Sequence, residues 1–386
     1  MARVKPADFH TVEDLRAAAR RRLPRMVFDF VDGGAEEEVT LRANRAAFDE
    51  IAFDPRYLQG VGSRDISTTV LGTAVRSPVM LAPTGLARLA HRDGELGLAE
   101  AAGLEGSIYV VGIASGTTLE AIAARATGPL WFQLYLWKGR EIVAGLVERA
   151  RAAGYTALCV TIDVPVLGNR ERDIRNGMRI PPKVNLRNAF DAARRPRWLA
   201  NVARAEMTFV NMRGVPGAGG NSGLSLMDWV NRELHDPGAT WDEVAWLRGI
   251  WDGPLVVKGI THPEDARSAV AAGADAVVVS NHGGRQLDGA PATITALPGV
   301  VAAVGDEVEV LLDSGVRRGS DVVKAVALGA RACLVGRPYL YGLAAGGTAG
   351  AQRALEILNT EIDRTMALVG RSRLDELDPS VLWRER

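Results

Sequence analysis

The chain has 386 residues, of which 47% are hydrophobic and 24% charged, and its 46 basic side chains balance 46 acidic ones. A chain of this length and composition can bury a large core, which excludes a fibrous or intrinsically disordered protein. Because the formal net charge is zero, no overall electrostatic field attracts nucleic acid, and we expect no nucleic-acid partner.

The N-terminal segment, residues 1–78, is predicted to be a helical extension. A helix is expected from Thr11, because Thr11 and Asp14 have the spacing of a variant capping box. The later run MVFDFVDGG is short and contains charge, unlike the apolar region of a signal peptide. Cys159 and Cys333 lie within apolar runs and are expected to be buried, reduced thiols, which favours a cytoplasmic location. No uncharged apolar stretch of about 18 or more residues predicts a spanning helix.

Eight short apolar runs follow along the chain, and each is rich in β-branched residues. Their continuous apolar character predicts strands that are buried on both faces of a parallel sheet. Segments of helical character, rich in alanine and glutamate, separate most of them. Alternation of eight such units predicts an α/β fold, a (β/α)8 TIM barrel. The runs begin at Val79, Ser107, Leu130, Ala157, Leu255, Ala276, Glu309 and Ala332.

One long interval, between the runs that begin at Ala157 and Leu255, predicts an insertion after the fourth strand, at about residues 183–245. We expect a single domain in which residues 79–345 form the barrel and residues 346–386 form a C-terminal helical segment. A Rossmann domain is the rival interpretation, but the chain contains no G-x-G-x-x-G phosphate fingerprint, so the barrel is preferred.

Polar side chains end seven of the eight predicted strands. Active sites of such barrels lie at the C-terminal ends of the strands, so these side chains together predict a site, whereas one alone would be a cap or loop contact. The loops after strands seven and eight, SGVRRGSD and GRPY, combine glycine with arginine and predict a phosphate site that uses Arg317, Arg318 and Arg337. The polar strand ends are Thr84, Gln133, Tyr135, Thr161, Asp163, Lys258, Ser280, His282, Asp313 and Arg337.

Lys258 ends the run LVVK, where its ammonium group must find an anion or shift its pKa. Two functional interpretations compete for it. Lys258 could form a Schiff base, as in barrel aldolases, or face a cofactor atom that becomes negative on reduction. Taken alone, it could equally form a salt bridge to a neighbouring strand-end carboxylate.

The segment SNHGGRQLDG places His282 and Arg285 after a buried strand, with glycines between them. An imidazole with a near-neutral pKa suits proton abstraction, and Asp163 could hold it and stabilise its protonated form. Arg285 and Arg170 could then clamp a substrate carboxylate. The other four histidines lie in polar or helix-start contexts and are expected on the surface: His10, His91, His235 and His262.

At these residues the chain resembles the FMN-dependent family that oxidises 2-hydroxy acids, which includes glycolate oxidase, respiratory lactate dehydrogenase and mandelate dehydrogenase. The resemblance runs over nearly the whole chain. Several long motifs in the right order make it specific. They are LPRMVFDFVDGGAE, APTG, WFQLY, TIDVPVLGNRERDIRNGM, VVKGI, SNHGGRQLDG, LDSGVRRGSDVVKAVALGA and VGRPYLYGLAAGG.

The resemblance implies FMN at the mouth of the barrel, and no metal site is expected. Lys258 would lie near N1 and O2 of the flavin, where it would stabilise the anionic reduced form. The contacts to the isoalloxazine and ribityl parts would be Pro83, Thr84, Gly85, Gly112, Gln133, Tyr135, Thr161 and Ser280. The ribityl and phosphate set would be Asp313, Ser314, Gly315, Val316, Arg317, Gly336 and Arg337.

The resemblance also implies the reaction, the oxidation of an (S)-2-hydroxy acid to a 2-oxo acid. Arg170 and Arg285 match the carboxylate-binding arginines, Tyr135 the partner of the hydroxyl group, and His282 the base paired with Asp163. Hydride transfer and a carbanion route stay open. The electron acceptor would be oxygen or a membrane quinone, and members of the family are commonly tetrameric.

Two residues depart from the family pattern. Phe30 stands where the family often has a substrate-binding tyrosine, and Gly112 where it usually has a serine. With Ala114, the small Gly112 indicates a roomier pocket, so we expect a lactate-like or a bulkier, mandelate-like substrate. Two alternatives stay open, a Schiff-base lyase that uses Lys258 and a flavin-binding member without hydroxy-acid activity.

Residues 187–204, within the predicted insertion, carry five arginines against one aspartate. Phe190, Trp198 and Leu199 accompany them, and basic charge beside exposed aromatic side chains is typical of attachment to an anionic membrane surface. A solvated loop over the active site explains the same composition, and Pro196 argues against one continuous amphipathic helix. A peripheral location on the inner face of the membrane is therefore one of two interpretations.

Overall fold

The computed structural model describes residues 5–178, 185–202, 208–213, 215, 229–230 and 235–383. Three helices precede the barrel, α1 Val12–Arg22, α2 Arg25–Asp32 and α3 Val39–Asp49. A hairpin of β1 Thr68–Val70 and β2 Thr73–Val75 follows them. The predicted helix start is confirmed, because Asp14 N donates to Thr11 Oγ1 at 3.1 Å and Thr11 N donates to Asp14 Oδ2 at 2.9 Å.

Eight parallel strands close into a barrel in chain order, with the last strand paired to the first. The predicted (β/α)8 architecture is confirmed. Two strands begin slightly later than predicted, at Tyr109 and Cys333. The strands are β3 Val79–Leu81, β4 Tyr109–Gly112, β5 Leu130–Tyr135, β6 Ala157–Thr161, β7 Leu255–Ile260, β8 Ala276–Val279, β9 Glu309–Leu312 and β10 Cys333–Val335.

Helices surround the barrel and extend beyond it at the C-terminus. Among the described residues, the long connection between β6 and β7 contributes three short helices and one longer one, and the predicted insertion is described at residues 185–202, 208–213, 215, 229–230 and 235–245. The helices are α4 Gly94–Leu104, α5 Leu119–Arg125, α6 Arg140–Ala152, α7 Glu171–Arg175, α8 Leu186–Ala193, α9 Pro196–Val202, α10 Trp241–Ile250, α11 Pro263–Ala271, α12 Thr293–Val304, α13 Gly319–Ala327, α14 Arg337–Gly346 and α15 Thr348–Val369. Short 3-10 turns span Pro6–Asp8, Ala87–Leu89, Val210–Met212, Leu374–Glu376 and Pro379–Val381.

Alternate residues of each barrel strand pack into two different cores. Met80, Trp131 and Leu311 belong to the cluster inside the barrel, whereas Leu81 and Phe132 belong to the larger cluster under the helices. Burial on both faces explains why the strand sequences are apolar without alternation. Both cysteines are buried and free, as expected. None of the helices in the described ranges combines the length and the apolar character that a membrane crossing requires.

The N-terminal extension is bonded to the loop after β8 by a pair of buried asparagines. Asn44 Nδ2 donates to Asn281 Oδ1 at 2.9 Å, and Asn281 Nδ2 donates to Asn44 Oδ1 at 2.8 Å. The backbone N–H of Gly284 also donates to Asn281 Oδ1, at 3.1 Å. Because α3 carries Asn44, the extension helps to hold the segment in which His282 lies.

We expect Asn44→Ala to lower the free energy of unfolding by about 1–3 kcal/mol, because it removes two of the hydrogen bonds of the buried Asn281 amide. Urea denaturation measures this change. Gln59→Ala is the matched control, since Gln59 is exposed and its side chain donates to the nearby Tyr57 carbonyl. If the two variants were equally stable, the asparagine pair would not be the link that fixes the extension.

Candidate active site

A cavity at the C-terminal ends of the barrel strands brings together nearly all of the side chains that the sequence indicated. Two of them, Asp163 and Ser280, lie behind its wall and contact lining residues. The sequence-derived residues that line the cavity are Phe30, Pro83, Thr84, Gly85, Gly112, Ala114, Gln133, Tyr135, Thr161, Arg170, Lys258, His282, Arg285, Asp313, Ser314, Gly315, Val316, Arg317, Gly336 and Arg337. The barrel ends therefore gather one site from many distant parts of the chain.

His282 is bonded to Asp163, as the sequence led us to expect. His282 Nδ1 lies 3.0 Å from Asp163 Oδ1, and the backbone N–H of His282 donates to Ser280 Oγ at 3.1 Å. The backbone of His282 is left-handed, with φ of +58°. This conformation is uncommon for a residue other than glycine, and strained backbone of this kind concentrates at functional sites.

Burial and charge set the protonation of this pair. Burial lowers the pKa of His282, and the charges of Lys258 and Arg170 add to that effect, while Asp163 opposes it. Burial would raise the pKa of Asp163, but His282 and Lys258 outweigh it, so that its pKa is lowered. At neutral pH the pair is thus a neutral imidazole and a carboxylate. The carboxylate accepts a hydrogen bond from Nδ1–H, which leaves Nε2 as the basic nitrogen.

Lys258 is held as an ammonium ion inside the barrel mouth. Its Nζ lies 2.9 Å from Asp313 Oδ2 and donates to Ser280 Oγ at 3.0 Å. Burial alone would lower the pKa of Lys258, but the charges of Asp313 and Asp163 outweigh it and raise the pKa. A Schiff base needs a neutral amine as its nucleophile, so this environment argues against the lyase alternative.

Arg170 and Arg285 lie together on one side of the cavity. Arg285 Nη1 donates to the carbonyl oxygens of Phe30 and Gly33, each at 2.8 Å, and its guanidinium lies 5.3 Å from the centre of the Phe30 ring. Burial lowers the pKa of both arginines, and the charge of Arg170 lowers the pKa of Arg285 further, although Asp173 opposes this. An anion bound here would relieve the repulsion between the two cations.

Arg317 and Arg337 form a second cationic region in the same cavity. Arg337 begins α14 and donates to three carbonyl oxygens, those of Val31 at 3.0 Å, Gly283 at 2.9 Å and Gly33 at 2.7 Å. Its five N–H groups leave two for a ligand. Burial lowers the pKa of Arg317 to about 10, and the charge of Arg337 contributes to this. Arg317 lies just before α13 and Arg337 begins α14, so the cavity has two cations beside two helix starts, an arrangement that is suited to a phosphate.

Arg318 does not join this region, contrary to the sequence-based expectation. It does not line the cavity, its side chain is 47% exposed, and Arg318 Nη2 lies 3.1 Å from Glu361 Oε1. Successive residues before a helix point in different directions, so an Arg-Arg pair does not place both side chains in one site.

Three aromatic residues in the described part of the cavity wall were not indicated by the sequence, namely Trp137, Phe209 and His235. Trp137 lines the cavity, and so does His235, which we expected on the surface. The surface assignment is also wrong for His91, which is partly buried beside Asp93. The surface assignment is correct for His10 and His262, which are exposed. Trp137 could have been found from its position just after Tyr135, but His235 lies in the insertion, where no strand pattern predicts which side chains face inward.

Comparison with known proteins places this chain among flavin enzymes. A family model described as FMN-dependent dehydrogenase matches residues 19–384. The chain is 45% identical to an L-lactate oxidase of Nostoc, over 94% of this chain and 95% of that one. It is 43% identical to a peroxisomal (S)-2-hydroxy-acid oxidase of Oryza sativa subsp. japonica, over 97% of this chain and 96% of that one.

A solved structure, described as the monotopic membrane protein (S)-mandelate dehydrogenase, superposes on this fold with a TM-score of 0.93 at 41% identity. The match covers 98% of this chain and 100% of that one. With a closed barrel, a cationic cavity at its mouth and relatives that match it from end to end, the chain belongs to the FMN-dependent dehydrogenase family.

Proposed function

We propose that the protein oxidises an (S)-2-hydroxy acid to the 2-oxo acid, with His282 as the base and FMN as the cofactor. The observation that carries this proposal is the neutral His282, bonded to Asp163 at 3.0 Å, in the same cavity as Arg170 and Arg285. A base beside two cations is suited to an acid that carries a carboxylate next to the carbon to be oxidised.

The cavity fits FMN at both of its ends. Arg317 and Arg337 would hold the phosphate, because Arg317 lies just before α13, Arg337 is the first residue of α14, and both line the cavity. Lys258 would face the part of the flavin that becomes negative on reduction. Gly112 leaves room between Thr84 and Gln133, since a Cβ atom on Gly112 would lie 3.3 Å from the Thr84 carbonyl oxygen and 3.4 Å from Gln133 Oε1. When bound, FMN supplies the acceptor for the hydrogen on the substrate's α-carbon and for two electrons.

The residues of the chain then have distinct tasks. Arg170 and Arg285 bind the substrate carboxylate and so fix the orientation of the α-carbon. His282 Nε2 takes a proton, and Asp163 stabilises the imidazolium that results. Tyr135 lies in the cavity wall with its pKa raised, chiefly by burial and then by Asp163, so its hydroxyl stays protonated and can donate to the substrate oxygen. Phe30 provides a ring and a carbonyl that holds Arg285.

The substrate side of the pocket indicates an acid larger than glycolate. Gly112 and Ala114 line the cavity and occupy little of its volume. Phe30 also lines the cavity, and its ring lacks the hydroxyl group that a tyrosine would have at this position. The relatives are named for lactate, 2-hydroxy acids and mandelate. We propose that this chain accepts lactate-like acids and prefers bulkier, mandelate-like ones.

Anaerobic mixing of the purified enzyme with a panel of 2-hydroxy acids tests this function directly. Oxidation of the acid should bleach the flavin absorbance, fastest with mandelate-like acids, while a 3-hydroxy acid of similar size serves as the control and should leave the colour. If no 2-hydroxy acid bleached the flavin, the protein would be a flavin binder without this activity. If glycolate and lactate bleached the flavin much faster than mandelate, the proposed preference for bulkier acids would be contradicted.

We expect Asp163→Asn to change the pH profile of kcat/KM. In the wild-type enzyme, kcat/KM should rise as His282 loses its proton, and the midpoint of this rise should lie below about 6.5, the ordinary histidine pKa. Because Asp163 raises the pKa of His282, its removal should shift the rise to lower pH. The plateau should fall by about 100-fold or more, since the imidazolium loses its stabilising charge.

The control for this substitution is Asp265→Asn, an exposed residue on α11. It should retain the wild-type profile. A shift of the acid limb to higher pH in Asp163→Asn would contradict the proposed role of the carboxylate.

Arg317 and Arg318 offer a matched pair for testing the phosphate region. Arg317→Gln should raise the Kd for FMN by about 10- to 100-fold, because it removes a charge-assisted hydrogen bond. Arg318→Gln should change the Kd by less than about twofold, since Arg318 pairs with Glu361 outside the cavity. Fluorescence titration of the apoprotein with FMN measures both. Equal losses in the two variants would argue against a phosphate at Arg317.

The electron acceptor and the assembly complete the proposal. Oxygen and a membrane quinone are the two acceptors that we propose, and re-oxidation in air after anaerobic bleaching distinguishes them. Rapid return of the flavin colour would identify an oxidase, and slow return a dehydrogenase. The homotetramer that the family resemblance implies stays a prediction, which sedimentation of the purified enzyme would test.

We further propose that α8 attaches the enzyme to an anionic membrane surface. Leu186 and Phe190 lie one helical turn apart and are 91% and 66% exposed, and Arg194 lies 5.7 Å from the centre of the Phe190 ring. The related mandelate dehydrogenase is described as monotopic. The sequence indicated that Trp198 belongs to this surface, but the structure shows that it does not, because Trp198 Nε1 donates to the Leu89 carbonyl oxygen at 2.8 Å.

Pro196 begins α9 and separates it from α8, so the basic segment is not one continuous helix, as expected. Its last two positions, 203 and 204, lie outside the described residues. The apolar face proposed for the membrane is therefore that of α8 alone.

Co-sedimentation with phosphatidylglycerol vesicles tests the attachment. The wild-type enzyme should sediment, and the double variant Leu186→Asn/Phe190→Asn should sediment several-fold less. Leu368→Asn is the control, since it removes an exposed apolar side chain, 61% exposed, on α15. Equal sedimentation of all three proteins would reject α8 as the membrane contact.

A further inference from the structure

One wall of the cavity carries two polar atoms that the proposed chemistry does not use. Trp137 and His235 both line the cavity, and an isolated antiparallel bridge joins their backbones. The rings of Trp137 and His235 each lie 6.0 Å, centroid to centroid, from the ring of Tyr135. The two residues therefore form a continuous aromatic wall beside Tyr135.

Trp137 and His235 each carry a buried ring nitrogen that lacks a hydrogen-bond partner in the described part of the chain. Neither Trp137 Nε1 nor His235 Nδ1 has a hydrogen-bond partner among the residues that the structure describes. Trp137 is only 7% exposed, so water reaches its indole poorly. Buried polar groups in folded proteins are nearly always paired, and an exception at a cavity wall indicates a ligand that supplies the partner.

The two nitrogens have opposite hydrogen-bonding roles. An indole N–H can only donate. Burial lowers the pKa of His235, which keeps the ring neutral at neutral pH, although the backbone carbonyl of Val164 acts to raise the pKa. Because Nδ1 has no partner among the described residues, we assign the ring proton to Nε2. His235 Nδ1 is therefore an acceptor.

The rest of this wall is apolar. Phe209 and Val230 line the same cavity and are 5% and 1% exposed. A hydroxyl group is the simplest ligand for the two nitrogens, since it accepts one hydrogen bond and donates another. A carboxylate would lack the proton that His235 Nδ1 needs, and an ammonium group would lack the lone pair that Trp137 needs.

We propose that Trp137 and His235 select a substrate whose side chain carries a second hydroxyl group, remote from the carbon that is oxidised. This inference rests on the proposed function, because it describes the substrate of the same cavity. A site that hydrogen-bonds a substrate hydroxyl discriminates against an analogue without it, because two buried polar atoms are then left unpaired.

Two matched pairs of acids test the selection with the FMN-loaded wild-type enzyme. One pair is mandelate and 4-hydroxymandelate, and the other is 2-hydroxybutanoate and 2,4-dihydroxybutanoate. In a dye-coupled assay, kcat/KM should favour the hydroxylated member of at least one pair by about tenfold or more. Ratios near one in both pairs would overturn the proposal.

Two variants of His235 assign the preference to this residue. His235→Phe removes the acceptor and should bring the ratio of kcat/KM values close to one. His235→Asn retains an acceptor close to the position of Nδ1 and should keep part of the preference. A wild-type ratio in His235→Phe would refute the role of His235, provided that its flavin spectrum and Tm match the wild type.

Failure of this inference is distinct from failure of the proposed function. If the flavin bleached with 2-hydroxy acids but the ratios stayed near one, only the selection by Trp137 and His235 would fall. If no 2-hydroxy acid bleached the flavin, both proposals would fall together.

Discussion

Among the described residues, five buried or half-buried cations share the mouth of this barrel, and the structure of the site depends on how their charge is balanced. They are Arg170, Lys258, Arg285, Arg317 and Arg337. Removing a charge from water is costly unless hydrogen bonds or opposite charges replace the water. Asp313 neutralises Lys258, but backbone carbonyl oxygens are the partners that several of the arginines contact. Such partners hold a guanidinium without cancelling its charge, so the cavity remains a site for anions.

The carbonyl groups come largely from the N-terminal extension, which makes the extension part of the site. Gly33 alone accepts from both Arg285 and Arg337. The chain also crosses closely here, because Ala35 N donates to the Gly284 carbonyl oxygen at 2.8 Å. Gly283 has φ of +69°, and a Cβ atom on it would lie 2.7 Å from Arg337 Nη1. Because Gly283 has no side chain, the guanidinium of Arg337 can pack against the backbone that follows His282.

The barrel and its strand-end residues were predictable from the sequence, because burial on both faces leaves a continuous apolar run and the polar residue that follows it marks the mouth. His282 and Asp163 were found in this way. Arg318 was misassigned, because a loop sequence does not show which of two adjacent side chains turns inward. His235 was missed, because a side chain in an insertion is directed by tertiary packing rather than by a repeating pattern. Trp198 was placed on the surface from its basic neighbours, although its indole packs against the core.

The central claim is that a neutral His282, oriented by Asp163, takes a proton from the substrate. Rapid anaerobic mixing of His282→Gln with a substrate that bleaches the wild-type flavin tests this claim most directly. We expect a variant that retains FMN and binds the acid, but whose flavin bleaches at least about 100-fold more slowly, because the base is missing. Bleaching within a few-fold of the wild-type rate would contradict it.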